Sequence, residues 1–181
     1  MSIKRGANTV KKVKRGSIQV KKIYRGSILI YQASETVSGL SSVVYNIVPS
    51  VAPNIVFPNG SDVYALVDGN TTLQVTWSDD NQYIDFNFTS NAIEPLSITI
   101  HSGQDNNAKN GVKIDSIVGY TASGETNILW SNVAISSNSS YTFTRNSSNK
   151  EFTKIRFNIS KNESTNLTLS EITFNSFIKY Y

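Results

Sequence analysis

From Ser61 to the C-terminus, apolar and polar residues alternate in short runs. Ile84-Asp85-Phe86-Asn87-Phe88, Leu96-Ser97-Ile98-Thr99-Ile100 and Ile155-Arg156-Phe157-Asn158-Ile159 keep a strict period of two. Such a period belongs to a strand with one face in a core and one face in water. The pattern predicts strands over 63–67, 73–77, 83–88, 96–101, 112–120, 127–130, 140–144, 154–159 and 167–177. In the last of these, Leu167 and Leu169 are in one phase and Ile172 and Phe174 in the other. A bulge near Ser170-Glu171 would return both pairs to one face. Asp68-Gly69-Asn70, Ser102-Gly103, Asn110-Gly111, Ser123-Gly124 and Ser147-Ser148-Asn149 separate the runs with turn residues. No segment carries a helical period. Many short strands with this punctuation predict an all-β sandwich or barrel over 61–181.

The first 32 residues follow another rule. At a spacing of ten they read IKRGANTVKK, VKRGSIQVKK and IYRGSILIYQ, with Arg5, Arg15 and Arg25 each followed by glycine. A threefold repeat with a tight-turn glycine predicts a small β-meander, too short to be stable without a partner surface or copies of itself. The segment between, 33–60, loses the periodicity. Pro49, Pro53 and Pro58 interrupt it, which predicts a connector with one short strand near 42–48.

Charge sharpens this division. Residues 1–32 carry nine basic residues and no acid, a charge of +9. The remainder carries 8 basic and all 13 acidic residues, a charge of −5. Two parts of opposite sign meet different partners. Aromatics in the arm are confined to Tyr24 and Tyr31, so it lacks the interleaved rings of a single-strand stacking platform. Docking on an acidic or sheet-edged partner is therefore preferred to nucleic acid, which stays as an alternative.

Candidate chemistry is sparse. The absence of cysteine excludes disulfides, thiolate metal sites and cysteine nucleophiles. A single histidine, His101, excludes a two-histidine acid–base pair. Asp79-Asp80 sits in a turn, where neighbouring side chains diverge, unlike the facing carboxylates of a glycosidase. The expectation is a protein without catalytic residues. No apolar run approaches a membrane span, and the N-terminus develops no signal-peptide core, so no membrane partner is expected.

Ala65-Leu66-Val67-Asp68-Gly69-Asn70, then Thr76-Trp77-Ser78, then Tyr83-Ile84-Asp85-Phe86 resemble the opening of discoidin or coagulation-factor type C domains. Lys154-Ile155-Arg156-Phe157-Asn158-Ile159 and Leu169-Ser170-Glu171-Ile172-Thr173-Phe174 resemble two later strands of that family. The resemblance covers about 61–178 and implies a galactose-binding-like jelly roll, two antiparallel sheets face to face. It also implies a structural calcium ion beside the Asp68 loop, with Asp68, Thr72 and Glu171 as the matching oxygen ligands. The alternative for those residues is a plain turn with Glu171 exposed or hydrogen-bonded to it. The family's usual activity is sugar binding. Trp77, Trp130, Tyr120 and His101 are the residues to consider for it, although both tryptophans lie in strand patterns that suit a core. No sugar site is assigned from them.

Val20-Lys21-Lys22-Ile23-Tyr24-Arg25-Gly26-Ser27-Ile28-Leu29-Ile30-Tyr31 resembles a Lys-x-Ile-Tyr-x-Gly-Ser segment near the N-termini of many tailed-bacteriophage virion proteins. That resemblance implies a structural protein of the virion, assembled in the host cytoplasm. Its arm would dock on capsid or tail proteins through Arg5, Arg15, Arg25, Tyr24, Ile28 and Ile30. Its body would stand as a decoration or fibre component, homo-oligomeric and able to aid attachment to host glycans. The alternatives are a carbohydrate-binding module and a nucleic-acid-binding protein acting through the arm.

Overall fold

A computed structural model of the protein describes residues 4–5, 8–9, 14–15, 18–25, 27–53, 55–57, 63–103, 111–162 and 166–181, with side chains from residue 20 on except 28–31 and 55–57. In the arm, β1 (Lys4–Arg5) pairs with β2 (Asn8–Thr9), β3 (Lys14–Arg15) with β4 (Ile18–Gln19), and β5 (Lys22–Arg25) with β6 (Ile28–Gln32). Arg5, Arg15 and Arg25 face Asn8, Ile18 and Ile28, the register of a two-residue hairpin loop. The repeat is therefore three separate hairpins and not one three-stranded meander. The turn falls inside each ten-residue unit, so each unit folds back on itself.

The rest of the chain supplies β7 (Ser34–Val37), β8 (Tyr45–Pro49), β9 (Ile55–Phe57), β10 (Gln74–Trp77), β11 (Gln82–Phe88), β12 (Ile93–Ser102), β13 (Val112–Tyr120), β14 (Thr126–Ile135), β15 (Ser140–Thr144), β16 (Lys154–Lys161) and β17 (Leu167–Tyr180). One antiparallel sheet has the order β15-β12-β17-β10-β9, with β7 also on β17. The other has the order β14-β13-β16-β11-β8. The predicted connector is thus part of the body. Three of its segments are strands: β7 pairs with β17, β8 with β11 and β9 with β10. Pro49 closes β8, which has a neighbour on one side only, where a missing N–H costs no ladder bond. The expected strand at 63–67 is instead a 3-10 turn, Val63–Val67, which buries Val63, Ala65 and Leu66 against the sandwich. A short apolar run suits either conformation.

The two inner faces meet in an aromatic core. Phe86 of β11 and Phe157 of β16 lie 5.4 Å and 6.3 Å from Phe174 of β17, ring centre to ring centre. All three are buried, as are Trp77, Phe152 and Phe177. Along β17 the partner of His101 is Glu171 and the partner of Ser102 is Leu169, so Ser170 is the extra residue of a bulge. The expected bulge is present, and it keeps Leu167, Leu169, Ile172 and Phe174 all buried. Gly119 has a different task. A Cβ there would come within 2.5 Å of the Phe152 ring, so only glycine lets that ring close the core beside β13.

Candidate functional site

The expected docking residues lie on the hairpins. Tyr24 is 55% exposed on β5 and Arg25 is exposed beside it. The backbones of Arg5, Arg15, Ile28 and Ile30 lie on β1, β3 and β6, and their side chains fall outside the described residues. The third hairpin is tied to the body at its base. The buried Ala33 donates its amide to Lys21 O at 2.7 Å and accepts one from Tyr181 at 3.2 Å. Lys21 Nζ sits 4.5 Å over the Tyr181 ring.

Asp68, Thr72 and Glu171 meet at the turn after the 3-10 segment. Gly69 adopts φ +82°, which suits a residue without a Cβ. Its amide donates to Glu171 Oε2 at 3.2 Å. Asp68 Oδ1 accepts the Asn70 amide at 2.8 Å, and Thr72 Oγ1 lies 2.6 Å from Asn70 Oδ1. Burial pushes the Glu171 carboxyl up to about 7 and the nearby Asp68 adds to this, against the amides of Gly69 and Asn70. No basic side chain among the described residues lies within ion-pair distance of Glu171. Two carboxylates held near one another in this way suit a hard cation. No third Asp, Glu or His joins them among the described residues, and the Thr72 hydroxyl is already engaged by Asn70.

The aromatic residues considered for sugar contact separate. Trp77 is buried, and its indole N–H donates to Val51 O at 3.0 Å. Trp130 packs on Phe143, 5.8 Å away, and donates to Thr144 O, joining the edge strands β14 and β15. His101 lies part-exposed on β12 opposite Ser140 and Glu171. Tyr120 alone belongs to a larger group, and that group escaped the sequence reading.

The group stands on the solvent face of the five-stranded sheet. The register places Val48, Asp85, Arg156, Val118 and Ile128 in one row across all five strands. An adjoining row holds Asn46, Asn87, Lys154, Tyr120 and Thr126. On the other side Tyr83 faces Asn158, and Asn158 faces Ser116. Asp85 is buried at the centre. Arg156 clasps it with two hydrogen bonds, Nε to Oδ1 at 2.7 Å and Nη2 to Oδ2 at 2.8 Å. The Asp85 hydrogen bonds raise the guanidinium pKa above its ordinary value, outweighing desolvation. The guanidinium carbon lies 3.8 Å over the Tyr83 ring and 5.7 Å from that of Tyr120. Lys154 Nζ lies 3.9 Å over the Tyr120 ring and 3.6 Å from Asp85 Oδ2. Asn158 Nδ2 donates to Ser116 Oγ at 2.8 Å. Exposed Ile128 (73%) and Val48 (43%) end the central row. Aromatic rings, fixed cations, amides and hydroxyls on one open face can hold a polar ligand that also has apolar C–H surface.

No protein-family model matches the sequence, and no curated protein sequence matches it. Solved structures match its fold. A CBM32-5 module of GH89 from Clostridium perfringens, in complex with GalNAc-β-1,3-galactose, superposes with a TM-score of 0.55 at 14% identity, covering 71% of this chain and 93% of that one. The family 32 carbohydrate-binding module of NanJ from C. perfringens, in complex with galactose, gives 0.54 at 13% identity over 81% and 100%. The CBM32 of AlyQ, in complex with 4,5-unsaturated mannuronic acid, gives 0.54 at 14% over 76% and 96%. The body is therefore the expected galactose-binding-like β-sandwich, and the structures it resembles are carbohydrate-binding modules.

Proposed function

We propose that the β-sandwich is a non-catalytic carbohydrate-binding module, and that the basic hairpin arm holds it on an acidic surface. This reverses the weight given from sequence alone, where a virion role led and sugar binding followed. The observation that carries the reading is the Tyr83–Asp85–Tyr120–Lys154–Arg156 group, open on the solvent face of a sandwich whose structural neighbours hold sugars. Tyrosines and a planar guanidinium offer both the flat apolar surface and the directed donors that a pyranose requires.

A calcium ion held by Asp68 and Glu171, with Thr72, belongs to this proposal. It would offset the repulsion between the two carboxylates and fix the loop that precedes β10. Calcium should raise the melting temperature of the full chain, and Glu171→Gln should remove that rise. Equal melting of the two proteins with and without calcium would refute the ion.

Binding of the full chain to an array of immobilised glycans tests the main reading. Retention on particular sugars that survives deletion of residues 1–32 is expected. Binding that disappears with the arm would refute it. A second reading, a structural protein of a tailed-bacteriophage virion, is favoured by the three basic hairpins ahead of the body. It predicts a stable complex with capsid or tail proteins, which the loss of the same 32 residues should abolish.

A further inference from the structure

The sheet-face group carries one more charge than its own stability needs. Asp85 is satisfied by the two hydrogen bonds from Arg156, and the paired guanidinium neutralises it. Lys154 is surplus to that arrangement. At 3.6 Å from Asp85 Oδ2 it is beyond hydrogen-bond reach, and among the described residues its ammonium has no hydrogen-bond acceptor. Arg156 also keeps Nη1 without an acceptor among the described residues. Both side chains are about one quarter exposed, 26% for Lys154 and 25% for Arg156. A group with a charge of +1 is thus fixed in place on a body whose net charge is −5.

The body as a whole repels anions, so a cationic patch that is held rigid by its neighbours matters only at short range. Arg156 lies over the Tyr83 ring, and Lys154 and, farther off, Arg156 lie over that of Tyr120, which fixes where the unused donors sit. Asn158, Ser116 and Asn87 flank them with amides and a hydroxyl that match sugar hydroxyls. Ile128 and Val48 supply exposed apolar contact along the central row.

We infer that the sheet face is the subsite for a carboxylated sugar residue, which makes the module selective for acidic glycans. This rests on the carbohydrate reading above. The sugar carboxylate accepts hydrogen bonds from Lys154 Nζ and Arg156 Nη1, and the ring packs along the tyrosine and Ile128 side of the face. No bond is made or broken.

The basic arm attracts any polyanion, so the test compares variants of the full chain that all retain it. Titration calorimetry would use a short oligogalacturonate and its fully methyl-esterified counterpart, in which a methyl ester replaces each charged carboxylate. The acid should bind more tightly than the ester, and Lys154→Gln should weaken the acid by roughly fivefold, the worth of one part-exposed charge pair, a clearly larger loss than the ester shows. The double substitution Asp85→Asn with Arg156→Gln removes both charges of the pair together, leaves no buried carboxylate unpaired, and should weaken the acid further. It guards against a single variant that fails to fold. Equal affinity for acid and ester, with both weakened by the double substitution, would overturn the acidic preference and leave sugar binding standing. Acid binding that is identical in the parent and in both variants would place the anion on the arm and overturn the subsite. Binding of neither sugar, together with no retention on any glycan, would overturn the carbohydrate reading itself.

Discussion

Asp85 and Arg156 do not contribute symmetrically. Removing Asp85 leaves two cations that can turn to water, because Arg156 and Lys154 are part-exposed. Removing Arg156 leaves a buried carboxylate without its two hydrogen bonds, facing only the Lys154 ammonium at 3.6 Å. Arg156→Ala should therefore destabilise the fold by about 3 kcal/mol, the lower end for breaking a buried pair, and Asp85→Ala by clearly less. Urea unfolding of the two variants decides it, and equal losses would contradict the asymmetry. Gly119 gives a second residue-scale test. Adding a methyl group against the fully buried Phe152 ring should cost about 1–3 kcal/mol in Gly119→Ala, with Phe152→Leu in the same chain restoring part of it. Neither position stands out in the sequence. Asp85 reads there as the polar member of an alternating strand, while Arg156 lies 71 residues away and Tyr120 stands two strands across the sheet. Cross-strand register brings these residues together, and register is not written in any one strand.

At the scale of elements, alternation was enough to place most strands. The predicted spans 112–120 and 140–144 coincide with β13 and β15. The phase change between Leu169 and Ile172 disclosed the bulge in β17, because two apolar pairs in opposite phases cannot share one core face otherwise. Edge strands were harder to read. Prolines that rule out a central strand are tolerated at an edge, so β9 read as connector and only the short strand near 42–48 stood out, close to β8. The strand β12 hides a further device in Glu94. Its fully buried carboxylate accepts from Ser147 Oγ at 2.7 Å, Ser148 Oγ at 2.8 Å and Tyr180 Oη at 3.0 Å. It thereby pins the loop before β16 to the end of β17. Burial alone would raise the carboxyl pKa, but these hydrogen bonds prevail and hold it below its ordinary value. A group depressed in the folded state contributes stability above its unfolded pKa and loses it as the pH falls through the folded one. Glu94→Gln should thus cost about 1–3 kcal/mol near neutral pH, and the gap between parent and variant should close as the pH falls through the lowered carboxyl pKa. A gap that stays constant down to acid unfolding would exclude the carboxylate as its source.

The whole molecule joins two parts with different physics. The body has a continuous aromatic and aliphatic core shared by both sheets. The arm has three hairpins of two to five residues per strand, each below the size that holds together alone. Deleting residues 1–32 removes the Lys21–Ala33 hydrogen bond and the Lys21–Tyr181 contact, so it should lower body stability by only about 1 kcal/mol. The same deletion should remove the steep salt dependence of binding to acidic surfaces, since all nine arm cations go with it. The charge division and the repeat were plain in the sequence. The boundary was not, because Ala33 and β7 belong to the sheet that the C-terminal strand completes. The most direct test of the whole account is amide and side-chain chemical-shift mapping of the full chain during titration with an oligogalacturonate. The account predicts shifts that saturate and centre on Tyr83, Asp85, Tyr120, Lys154, Arg156 and Asn158. Shifts confined to residues 1–32, or to the loops away from the five-stranded sheet, would contradict it.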